Sequence, residues 1–128
     1  MSKILKVGID IHGVIDTYPE KFKILSNALV AHGSEVHIVT GSKRSPQIDE
    51  VLQQAGIAFT HYFSIVEHLE ASGEVVWRGD QPFADQNKWN RAKRDYCHNT
   101  GIDLMFDDSP VYRETFHDTA ATYLHVIN

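Results

Sequence analysis

The sequence predicts an α/β fold in which a parallel sheet is covered by helices on both faces. Short apolar runs rich in β-branched residues alternate with longer stretches of helical spacing, and several of the helical stretches close on glycine. No internal repeat or low-complexity tract breaks this rhythm. With 128 residues and 42% hydrophobic content, the chain has room for a single domain, residues 1–128, built around one core.

The first strand is expected over Ile4 to Asp10. A helix follows from Pro19 to His32, with Phe22, Leu25 and Leu29 on its buried stripe and Gly33 as its stop; Pro19 fits the first turn, where its missing N–H costs no bond. The second strand, Val36 to Thr40, runs into Gly41. Ser45-Pro46 then supplies an N-cap and first helical residue for a helix on which Ile48, Val51, Leu52 and Ala55 recur until Gly56. A third strand near Phe59 to Phe63 leads to a short helix, Ser64 to Ser72. Val75-Val76-Trp77 reads as extended and Arg78 to Asn87 as a long loop. A helix from Lys88 to Thr100, stopped by Gly101, precedes the strand Ile102 to Asp107, after which Ser109-Pro110 opens a short helix and Ala121 to Ile127 forms the last strand.

Composition narrows the setting. The single cysteine, Cys97, forms no internal bridge and reads as a core thiol, which fits a reducing compartment. No apolar run approaches the roughly 18 residues of a membrane span, and a cytoplasmic protein without membrane attachment is expected. A formal charge of −5 provides no basic face for duplex nucleic acid. It leaves room for a local basic pocket or a divalent cation.

Helical crossovers make the strands parallel and place all their carboxyl ends along one edge. Three strands finish there on polar groups: Asp10 with His12, Thr40 with Gly41, and Asp107 with Asp108. Carboxylates gathered at one edge repel each other unless a cation joins them, and hard oxygen donors suit Mg²⁺. Thr40 can donate its hydroxyl and Gly41 its backbone N–H to a phosphoryl group. Lys88, at the start of its helix, is expected to reach the same edge and neutralise charge, in preference to Lys93 more than a turn further along. Asp10 would then be the nucleophile. The remaining histidines, His37 and His61 among them, lack the paired spacing of zinc sites and read as surface or half-buried residues.

The order Asp10-x-His12-Gly13-Val14, Thr40-Gly41, Lys88 and Asp107-Asp108 resembles the four motifs of the haloacid dehalogenase (HAD) superfamily of hydrolases, over nearly the whole chain. The resemblance implies a three-layer, Rossmann-like, HAD-like fold with no cap domain. It implies Asp10 as nucleophile and Mg²⁺ ligand, the backbone carbonyl of His12 as a second ligand, and Asp107 with Asp108 completing the metal site. Thr40, Gly41 and Lys88 would hold the phosphoryl oxygens. The superfamily's usual first motif carries an aspartate, the general acid and base, two residues after the nucleophile; here that residue is His12.

An imidazole, with an unperturbed pKa of about 6.5, can protonate a leaving alkoxide as the cation and deprotonate water when neutral. Beside Mg²⁺ the cation is disfavoured, which weakens the acid step. The expected activity is Mg²⁺-dependent hydrolysis of a phosphomonoester through an aspartyl phosphate, with His12 at the acid and base position. A weak or inactive relative that binds phosphate or a partner is the alternative. A receiver domain is excluded by motif order, since receivers place their acidic pair after the first strand. The first turn also lacks the glycine fingerprint of dinucleotide folds.

The resemblance places cap modules at two insertion points. Only Ile15 to Tyr18 occupies the first, and Gly73 to Asn87 at the second is long enough for a small lid but not a folded domain. An open site suits a bulky or polymeric phosphorylated substrate, or closure by a second subunit in a homo-oligomer.

Overall fold

A computed structural model describes residues 4–128. In chain order it contains β1 (Lys6–Ile9), a wide turn at Ile11–Ile15, α1 (Pro19–Ala31), β2 (Glu35–Thr40), α2 (Pro46–Gln54), β3 (His61–Ser64) and α3 (Ile65–Ala71). There follow β4 (Val76–Arg78), β5 (Gln81–Phe83), α4 (Gln86–Thr100), β6 (Leu104–Asp107), α5 (Pro110–Glu114) and β7 (Thr122–His125). No helix among the described residues is long and apolar enough to cross a membrane.

Five strands form one parallel sheet in the order β3-β2-β1-β6-β7. The chain moves outward from β1 to β2 and β3, then returns to the other side of β1 with β6 and β7. Beside β1 the order therefore reverses, and the crevice at the carboxyl ends of β1 and β6 is where such sheets bind ligands.

Period-two alternation divides the core between two faces. Val7, Ile9, Val36 and Ile38 pack with Phe22 of α1 and Leu52 of α2 on one face. Val39 and Met105 pack with Cys97 of α4 on the other. The sheet is flanked by helices on both sides, the α/β arrangement expected. Gly8 faces the α4 side, where a Cβ would lie 2.6 Å from Met105 Sδ, so a side chain there would displace Met105 from the core. Ser45, Ser64 and Ser109 each cap a helix by accepting a backbone N–H, from Ile48, Glu67 and Tyr112. Burial pushes the Cys97 thiol up to about 12, as befits an inert core residue.

The segment expected to be a long loop is instead mostly an antiparallel hairpin, with Arg78 opposite Gln81 and Val76 opposite Phe83. Three-residue strands are too short to show a periodicity. Their turn, Gly79-Asp80, has Gly79 at φ +65°, a two-residue hairpin signal that the sequence contained. The helix after it begins at Gln86, two residues before the expected Lys88, because Asp85 accepts the Lys88 N–H at 3.0 Å and caps it.

Candidate active site

Asp10 follows β1 directly, and its backbone N–H extends the sheet by donating to Phe106 O at 3.0 Å. Its carboxylate Oδ1 accepts the Ile11 N–H at 2.8 Å. The chain then makes a wide turn closed by the Asp16 N–H on Ile11 O. Ile11, Val14 and Ile15 are fully buried and anchor this turn, which leaves His12, Gly13 and Asp16 facing outward.

Gly13 has φ +82°, and a Cβ there would stand 2.0 Å from Asp108 Oδ2. Glycine is required twice, by its backbone conformation and by the approach of that carboxylate. The Asn128 side chain joins the same contact, donating to Gly13 O and Asp108 Oδ2 at 3.0 Å each.

Three carboxylates converge across the crevice: ligand oxygens of Asp10, Asp107 and Asp108 lie within 4.8 Å of one another. Asp107 is buried at the end of β6, where Oδ1 accepts the Ser109 N–H at 3.1 Å. The cation among them is Lys93, whose Nζ stands 2.7 Å from Asp107 Oδ2 and 3.3 Å from Asp10 Oδ2. It also lies 4.8 Å from the centre of the Tyr112 ring.

Lys88 is not at this site. It is exposed and paired with Glu74 at 2.5 Å. Residues five apart on a helix differ by about 140° in direction, so these two lysines cannot both face the sheet. Lys93 shares its face with Trp89, Ala92 and Cys97, and this i, i+4, i+8 stripe marks it as the inward lysine. Its long stem spans the turn that separates it from the sheet edge.

Thr40 ends β2 and is buried, and Gly41 follows beneath the Trp89 ring, where a Cβ would lie 3.4 Å from the indole. His12 is exposed, with Nε2 3.3 Å from Ser42 Oγ and Nδ1 3.5 Å from Asp16 Oδ2. Asp16 is itself held by the Gly13 N–H on Oδ1 at 2.7 Å. Lys43 and Arg44 are exposed and paired with Glu70 and Asp49.

Asp10, His12, Thr40, Gly41 and Lys93 all line one cleft of about 420 Å³. Trp77, Asp80 and Pro82 of the hairpin segment and Trp89 of α4 also line it, so this wall is largely apolar but carries one carboxylate. Trp77 is fastened to α3 through its indole N–H on Glu70 Oε2 at 2.9 Å.

Burial pushes the Asp10 carboxyl up to about 6, against the attraction of Lys93 and with the repulsion of Asp107. Burial works against the Lys93 ammonium, but Asp10 and Asp107 outweigh it and hold its pKa above the ordinary lysine value. The carboxylate oxygens of Asp10, Asp107 and Asp108 are close enough together to hold one metal ion.

Compared with known proteins, the chain matches no family model and no curated protein.

Proposed function

We propose that this chain is a phosphatase-type hydrolase of the HAD kind, which cleaves a phosphomonoester through an aspartyl phosphate on Asp10. The observation that supports it best is Lys93 bridging Asp10 and Asp107 at the floor of a cleft that also contains Thr40 and Gly41. A nucleophilic carboxylate, a fixed cation and hydrogen-bond donors around one small volume are what phosphoryl transfer needs.

Asp10, Asp107, Asp108 and the His12 carbonyl would hold Mg²⁺, which would neutralise phosphoryl charge as bonds change. Lys93 fixes the Asp10 carboxylate on one oxygen, and the Ile11 N–H fixes it on the other. In the first step Asp10 attacks phosphorus, the P–O bond to the leaving group breaks, and the leaving oxygen takes a proton from His12. In the second step neutral His12 takes a proton from water, the hydroxide attacks phosphorus, and the P–O bond to Asp10 breaks to free phosphate. Asp16, 3.5 Å from His12 Nδ1 and itself held by the Gly13 N–H, helps to orient the ring. The leaving group lies toward Trp77, Pro82 and Trp89, so a small phosphorylated molecule or the end of a larger one fits the cleft.

The test is hydrolysis of an aryl phosphate with Mg²⁺ between pH 5 and 8. Turnover abolished by chelation and by Asp10→Asn is expected. Absence of turnover across that range, with Mg²⁺ present, would overturn the proposal in favour of a phosphate-binding relative that performs no chemistry.

A further inference from the structure

Away from the cleft, on the α4 side of the sheet, a second group of ionisable side chains meets. Glu35 and His37 are two apart on β2 and so project from the same face, and His61, the first residue of β3, is the register partner of His37. His37 is 1% exposed, an unusual depth for an imidazole the cleft does not use. Its Nε2 lies 2.8 Å from Glu35 Oε1, His61 Nδ1 lies 3.9 Å from that same oxygen, and ligand atoms of all three residues fall within 4.8 Å. On the far side of the His37 ring, Nδ1 lies 2.6 Å from the Tyr96 hydroxyl.

We propose that Glu35, His37 and His61 form a second metal site, which takes a borderline divalent transition ion of the Zn²⁺ class and is separate from the carboxylate cluster around Asp10. Two imidazoles and one carboxylate select such an ion over Mg²⁺, which prefers oxygen alone. The Glu35 to His37 spacing is already close to the roughly 3 Å that separates neighbouring donors around an ion bound at about 2.0 Å. When Nε2 of His37 binds metal, the ring proton resides on Nδ1 and is donated to the Tyr96 oxygen, the outer partner that fixes a ligating histidine.

His61 is the part that moves. Its ring stacks on His37 with centroids 4.2 Å apart and planes 6° from parallel, an arrangement that cannot aim both nitrogens at one ion. The side chain is half exposed and its Nδ1 contacts Thr60 Oγ1 at 2.8 Å, so metal binding swings it off the stack at the cost of that contact. Lys6 on the adjacent strand repels a cation here, but its Nζ is tied to the Thr100 carbonyl at 3.0 Å. His61 is half exposed and Glu35 partly exposed, which leaves a path for the ion and a place for water in its remaining coordination.

The site is tested by titrating the purified chain with Zn²⁺ and Co²⁺ by calorimetry and absorption, with Mg²⁺ in excess to occupy the carboxylate cluster. One saturable equivalent is expected, with affinity reduced about tenfold or more by His61→Ala and by Glu35→Gln and unchanged by Asp10→Asn. Both weakening substitutions are at exposed or partly exposed positions, and circular dichroism checks that each variant is folded. No saturable binding, equal binding by His61→Ala and Glu35→Gln, or loss of binding in Asp10→Asn would overturn the proposal. Because the readout is binding, it is independent of whether the cleft hydrolyses anything.

Discussion

Lys93 Nζ lies 2.7 Å from Asp107 Oδ2, and the two side chains are 2% and 1% exposed. A pair buried this completely is worth little as a pair but much as an obligation, because removing one member strands the other. Asp10 depends on the same ammonium, and the cleft floor is therefore a single electrostatic unit.

Lys93→Met is expected to destabilise the fold by roughly 3–5 kcal/mol, the cost of leaving buried carboxylates without their cation. It should also abolish phosphatase turnover. Lys88→Met removes only an exposed pair with Glu74, and its denaturation midpoint and turnover should match the wild type. Urea denaturation of both variants checks this, and equal effects would contradict the placement of Lys93.

Asp10 gives the chain a pH dependence of definite sign. Its folded carboxyl titrates at about 6, above the ordinary value of about 3.9, so the folded state binds the proton more tightly than the unfolded one. Stability from this group is therefore present at low pH and is lost as pH rises through about 6. Asp10→Asn, which removes the charge, is expected to raise stability at pH 8 by roughly 2 kcal/mol and to change little at pH 4. Thermal melts of wild type and variant at the two pH values measure this effect, and a metal-free wild type no less stable at pH 8 than Asp10→Asn would contradict it.

His12 and Asp16 should separate in their effects on turnover. Asp16→Asn removes the carboxylate beside Nδ1 while leaving an acceptor for the Gly13 N–H, and is expected to lower kcat several-fold, because the His12 ring is less firmly oriented. Substrate affinity should change little. His12→Asp distinguishes a working histidine from a decayed acid: higher turnover would show that carboxylate chemistry suits the site better, and lower turnover that the imidazole performs the transfer.

Gly13→Ala combines a positive φ with a collision, since the new Cβ would meet Asp108 Oδ2 at 2.0 Å. The backbone contribution alone costs about 1–2 kcal/mol. The collision must displace the Asp108 carboxylate from its present place, so Mg²⁺ affinity measured by calorimetry is expected to fall more steeply than stability. A normal affinity would remove Asp108 from the ligand set.

Asp10, Thr40 and Asp107 could be placed on one edge before any coordinates, because strands joined by helical crossovers are parallel and their carboxyl ends share a side. The caps Ser45 and Ser109 were legible for a similar reason, since each follows from local chemistry beside a proline. Tertiary structure decided what depends on rotation and register. A two-residue difference in where α4 begins, together with the facing of Trp89, Ala92 and Cys97, brings Lys93 rather than Lys88 to the carboxylates. The hairpin at Val76–Phe83 has only its Gly79-Asp80 turn as a signal in the sequence, because three-residue strands are too short to show a period. Likewise, the pairing of β2 with β3 brings His61 to His37 across 24 residues of sequence, a proximity that spacing along a chain cannot encode.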